Sequence, residues 1–175
     1  MSDGTTAGSR PGPLVGAVEF AIRGWAALGG AMLLAVVLIN VISVVGGVVW
    51  RPFPGDFELT EMGVAIAAFA FLPYCQLTGA NVTADIFTAR AGPRWQAGFR
   101  LVASVVAAIF AAILLWRMQA GAADQKTYNY TTTILQVPIW WAYVPVLISL
   151  GLLVLASLLT LVRAARGVLA GRETA

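Results

Sequence analysis

The sequence predicts an all-α integral membrane protein with four transmembrane helices, and three observations carry that reading. Its 175 residues are 59% apolar and only 11% charged, with a mean hydropathy of +0.84. A soluble chain this small has a large surface for its volume and needs charged residues to cover it. Apolar runs recur four times along the chain, each near the roughly 20 residues that a hydrocarbon core requires. All six tryptophans fall at the ends of those runs, where indole rings prefer the boundary between lipid and water.

Residues 1–13 are polar, Gly-rich and Pro-containing, the composition of a disordered tail. The membrane domain follows over residues 14–165. It opens on Leu14, Val18, Ile22 and Trp25 at helical spacing, with Glu19 and Arg23 an i,i+4 pair on another face. This piece is a candidate short amphipathic helix lying in the membrane interface at the N-terminus. It reads equally well as the polar start of the first span, and both readings stand.

The spans fall at about residues 27–49, 58–78, 97–117 and 140–162. Trp25 and Trp50 bracket the first, Trp95 and Trp116 the third, and Trp140 and Trp141 open the fourth. The first run far exceeds a signal-peptide core of about 7–15 residues, and no A-x-A-like site follows it, so it reads as a retained anchor. A basic turn, Arg90 to Arg94, joins spans two and three. The longest loop, Gln119 to Pro138, joins three and four, and residues 166–175 form a second tail.

Orientation follows from Lys and Arg. Arg10, Arg23, Arg90, Arg94, Arg100, Arg163, Arg166 and Arg172 lie on one side; Arg51, Arg117 and Lys126 lie on the other. The richer side is the cytoplasmic one. Both termini are therefore expected on the cytoplasmic side of a multi-pass membrane protein.

Composition also excludes classes. His is absent and Cys75 is the only cysteine, which removes disulfides, thiolate metal sites and imidazole proton relays. The arginines are scattered at the ends of apolar runs, not gathered in a stripe, so the net charge of +3 indicates no nucleic-acid partner. No nucleophile–base pair, phosphate loop or metal-ligand spacing occurs. The expectation is a protein that is no enzyme and holds no cofactor or metal, with the lipid bilayer as its first partner.

The central parts of the four spans contain no Asp, Glu, Lys or Arg. A self-sufficient transporter keeps such groups despite a cost of roughly 2.5–3.5 kcal/mol each on insertion scales. The deepest carboxylate is Glu61, about one turn inside span two, which clusters with Asp56 and Glu58 where a helix N-terminus favours negative charge. Asn40, Ser43 and Gly47 share one face of span one, and a buried amide there needs a protein neighbour. Small residues form further packing stripes: Gly63, Ala67 and Ala70 in span two, and Ala103, Ala107 and Ala111 in span three. Pro73 and Pro145 are expected to bend their helices, and Gly79 favours a turn at the inner end of span two. The outer loops carry Arg51, Asp56, Asp124, Lys126, Tyr128 and Tyr130, and with Glu58 and Glu61 at the start of span two they form a mixture suited to steering and anchoring a transient docking partner.

Three stretches carry a family likeness: Gly55-Asp56-Phe57-Glu58-Leu59-Thr60-Glu61, Gly79-Ala80-Asn81-Val82-Thr83-Ala84-Asp85, and Leu135 to Pro145 with its Trp140-Trp141 pair. With these in order across four spans, the chain resembles the small membrane subunit of TRAP (tripartite ATP-independent periplasmic) transporters, the DctQ family, over roughly residues 14–165. At the second stretch it departs from the family pattern. Asn81 stands where a His is usual and Thr78 where a basic residue is common, while Asp85 keeps the acid. The resemblance implies an importer of organic acids, typically carboxylates, driven by a sodium gradient. In it the small subunit packs beside a large membrane subunit and helps form the docking surface for a periplasmic binding protein. Substrate and sodium sites would lie in the large subunit. Two other classes stand beside it. One is a self-contained four-helix transporter, which would need a carboxylate deep in helix one that this chain lacks. The other is a membrane assembly factor.

Overall fold

The computed structural model describes residues 13–79 and 93–173. The tail over residues 1–12, the positions Asn81 and Asp85, and the basic residue Arg90 lie outside them. Four long helices account for nearly everything described: α1 (Pro13–Val49), α2 (Asp56–Thr78), α3 (Pro93–Thr127) and α4 (Trp140–Glu173). All four are long and apolar enough to cross a membrane, and among the described residues there is no strand beyond one isolated bridge between Thr131 and Pro138.

Each helix begins and ends for local reasons. Pro13 and Pro93 occupy first-turn positions, where a missing N–H costs nothing. The Pro52-Phe53-Pro54 run cannot continue α1, and Gly55 opens α2 in the left-handed region. Gly79 closes α2 at φ 67°, its N–H donating to the Cys75 carbonyl. α2 and α4 run on through Pro73 and Pro145 as single helices.

The helices outrun the hydropathy boundaries. Leu14 to Trp25 are the first turns of α1, continuous with the span. The loop expected over Gln119–Pro138 is shorter, because α3 continues through Gln119–Thr127. That stretch contains good helix formers and no breaker, and the chain leaves the helix only before Asn129, at φ 48°. Likewise α4 extends through the expected second tail to Glu173.

The helices alternate in direction and pack in the spatial order α1, α2, α4, α3. α2 and α4 each pack against two neighbours, α1 meets α4 thinly, and the backbone of α3 approaches only α4. The result is an open curved layer more than a closed bundle. Its interior is correspondingly thin: Ile22, Val36, Ala67, Ala70, Ala111, Val146, Leu150 and Ala156 are buried. Most large residues of α1 and α3 face outward, as an apolar solvent permits.

Cross-links between helices are polar and sparse. The Trp25 indole N–H donates to Ser149 Oγ at 2.8 Å, joining α1 to α4. That tryptophan is thus half-buried between helices and not simply a boundary marker. Gln76 Nε2 donates to Thr160 Oγ1 at 3.2 Å between α2 and α4. At the end of the layer where α1 begins, Glu19 pairs with Arg163 of α4, and not with Arg23 one turn along its own helix.

Candidate functional site

The polar groups gather at one end of the layer, where α1 hands over to α2 and α3 to α4. Ser43, one and a half turns before the end of α1, makes the handover rigid. Its hydroxyl donates to Asp56 Oδ2 and accepts the Phe53 N–H at 3.2 Å. One buried hydroxyl therefore ties the return loop to both helices. One turn deeper, Asn40 Nδ2 donates to Thr60 Oγ1 at 2.7 Å and to the Val36 carbonyl at 2.9 Å. Thr60 Oγ1 in turn donates to the Asp56 carbonyl. An amide inside a membrane needs such partners, because lipid offers none.

Below this pair α1 and α2 meet through small residues. Gly63 lies against the Val36 side chain, and Ala67 and Ala70 close on Gly29. All three α2 residues are buried. Gly47 instead lies at the surface, beside the Pro52 ring. Along α3 the alanine stripe divides: Ala111 is buried, Ala107 half-buried and Ala103 exposed.

The second loop, residues 128–139, is folded on itself. Thr132 N–H donates to the Val137 carbonyl and Ile139 N–H to the Tyr130 carbonyl, both at 3.0 Å. Thr132 Oγ1 accepts the Val137 N–H at 3.1 Å, and Gln136 takes φ 55° at the turn. Two features of α2 fix this hairpin in place. The Glu58 carboxylate accepts the N–H groups of Ile134 at 2.7 Å and Leu135 at 3.0 Å, one per oxygen. Leu135 meanwhile sits where a side chain on Gly55 would have to be, and Gly55 has φ 79°. Gly55 is required there twice, once for its backbone and once for its missing Cβ.

On the outer surface of this platform Lys126 Nζ stands 5.6 Å from the centre of the Trp140 ring, within cation–π range. The rings of Tyr128 and Tyr130 lie tilted against each other, centroids 5.8 Å apart and planes at 39°, and are 67% and 52% exposed. Arg51 and Asp124 are exposed, and Glu61 points from α2 without a hydrogen bond or ion pair to any described residue.

The structure thus brings Ser43 to Asp56 and Asn40 to Thr60, and it sets Glu58 under the second loop. Gly79 lies at the opposite end, as the cap of α2. Thr60 and Leu135 lie inside the stretches that carry the family likeness, but their contacts, like that of Ser149, have no local signal in the sequence. Each finds its partner on a distant segment: Thr60 on Asn40, Leu135 on Gly55 and Glu58, and Ser149 on Trp25. Among the described residues no His, Cys, Asp or Glu group is arranged to hold a metal.

Comparison with known families adds one finding. The family model described as "Tripartite ATP-independent periplasmic transporters, DctQ component" matches residues 33–167, well over half of the chain. No curated protein and no solved structure matches it.

Proposed function

This chain belongs to the DctQ component family of the tripartite ATP-independent periplasmic transporters, and from that premise we propose how it serves such a machine. As the small component it is a multi-pass membrane protein and not an enzyme. In our reading it packs beside the large membrane subunit, steadies it in the bilayer, and supplies part of the outer surface on which the periplasmic binding protein lands. The cargo is an organic acid, in the first instance a carboxylate. A sodium gradient drives its uptake through sites in the large subunit. The chain sits in the bacterial inner membrane with both termini in the cytoplasm.

One observation carries the division of labour. No Asp, Glu, Lys or Arg occurs between Gly24 and Trp50, Met62 and Thr78, Leu101 and Trp116, or Trp140 and Val162. Ion-coupled movement of an anion across lipid needs groups that offset charge on the way. These spans offer none, while their outward faces are apolar and the polar groups concentrate at one end in a hydrogen-bonded platform. That is the constitution of a scaffold.

The test is retention of a partner. With an affinity tag after Ala175, expressed beside the large membrane subunit and solubilised in mild detergent, the chain should retain that subunit in near-stoichiometric amount. Recovery of the tagged chain alone, at a concentration where it stays folded, would contradict the proposal.

A further inference from the structure

α2 presents a face that no described helix of this chain covers. The backbones of α2 and α3 stay apart along their described length, each packing on α4. Between them runs a groove of about 510 Å³. Its apolar part is made by Ala65 and Phe69 of α2, Met118 of α3, and Ala142 and Val146 of α4; Glu58, Glu61 and the threonines at 131–133 form its outer end.

Charge decides what fits. Two carboxylates stand at the polar end, and no Lys or Arg lines the groove. Glu58 is already committed to the amides of Ile134 and Leu135. Glu61, one turn deeper, has no partner among the described residues. An ionised carboxylate at the edge of the hydrocarbon region is costly unless paired. A phospholipid headgroup would bring a phosphate against these two anions. A helix carrying a single cation would bring only the opposite charge. Ala65 and Ala142 on the groove walls also permit the close backbone approach that helix pairs in lipid rely on.

The geometry points to this groove as the seat of one transmembrane helix of the large subunit, with a Lys or Arg near its outer end paired to Glu61. This rests on the reading that the chain packs beside a large subunit, and it names the surface that does so. The occupant helix lies on α4 between α2 and α3, closes the layer into a bundle, and pairs the Glu61 carboxylate, which has no partner among the described residues.

The experiment uses the intact complex in native membranes, with the tag on this chain. Wild type should retain the large subunit; if it does not, the scaffold reading itself fails, and the groove is not at issue. Given wild-type retention, E61R and A65W should each lower the recovered large subunit about tenfold or more, the scale of losing a desolvated charge pair or a close contact. Both positions are exposed in the lone chain, so its melting temperature should stay unchanged. Changing the outer Lys and Arg residues of the large subunit one at a time to Glu should find one that restores retention with E61R, which a merely structural role for Glu61 would not produce. Should E61R or A65W unfold the chain, the nearly isosteric E61Q decides. Wild-type retention with E61Q would overturn the proposal. So would undisturbed retention accompanied by loss of a bound phospholipid in native mass spectrometry, which would assign the groove to lipid.

Discussion

Glu58 illustrates how a single side chain organises the end of the layer where α1 hands over to α2 and α3 to α4. Its two oxygens take two backbone N–H groups of a loop more than seventy residues away, which fixes the hairpin between α3 and α4 onto the start of α2. A charged acceptor holds backbone N–H groups more strongly than a neutral one, so E58Q, which keeps one oxygen and removes the charge, should loosen the hairpin. Amide exchange of Ile134 and Leu135 should quicken by about tenfold, while exchange in the middle of α4 stays unchanged. Unchanged exchange at both amides would show that Glu58 does not hold the loop. Asn40 and Thr60 make the matching pair between α1 and α2. A double-mutant cycle with N40L and T60V should give a coupling of about 0.6 kcal/mol, the mean for hydrogen bonds between membrane helices; additive losses would show that the pair is not coupled. Asn40 is legible in the sequence because an amide deep in an apolar run needs a partner. Which partner is not legible, since Thr60 lies across a turn whose geometry depends on Ser43 and Gly55 together.

At the scale of elements, α3 shows where periodicity stops being informative. Ala103, Ala107 and Ala111 repeat every four residues and read as one stripe, yet the structure buries only the last of them. A four-residue step overshoots one helical turn by about 40°, so the stripe drifts around α3 and Ala103 turns away from the face that buries Ala111. A111W should therefore destabilise the isolated chain by about 1–3 kcal/mol through overpacking, whereas A103W should leave its melting temperature within error. Equal effects at both positions would show that the two alanines share one packed face. The four spans themselves are legible, because about 20 apolar residues have few alternatives to crossing a bilayer. The ends of the helices are not. Hydropathy marks where lipid ends, and α3 continues into water to Thr127 because nothing in Gln119–Thr127 stops it.

At the scale of the whole molecule, the spatial order α1, α2, α4, α3 has no counterpart in composition or motif, because the sequence does not state which apolar face meets which. The proposed orientation does have one, in the eight-to-three division of Lys and Arg. Cytoplasmic reporters fused after Ala175 should be active and those inserted in the 128–139 loop inactive, with a periplasmic reporter giving the reverse. Strong periplasmic activity after Ala175 would contradict the orientation. An open layer with a platform at one end suits a subunit that works by being held against another. Arg51 and Lys126 are the exposed cations of that platform, and each exposed pair contributes at most about 1 kcal/mol and weakens with salt. Reversing both to Glu should raise the amount of binding protein needed for half-maximal uptake at low salt, with assembly unaffected. An unchanged requirement at low salt would remove these two residues from the docking surface.

The central claim is that this chain supports transport without performing it, and sodium-driven uptake in proteoliposomes tests that most directly. Vesicles holding this chain alone should take up none of the organic acid, even with a sodium gradient and saturating binding protein. Vesicles holding it together with the large subunit should take it up when the binding protein is added. Uptake by this chain alone, dependent on the sodium gradient, would contradict the account.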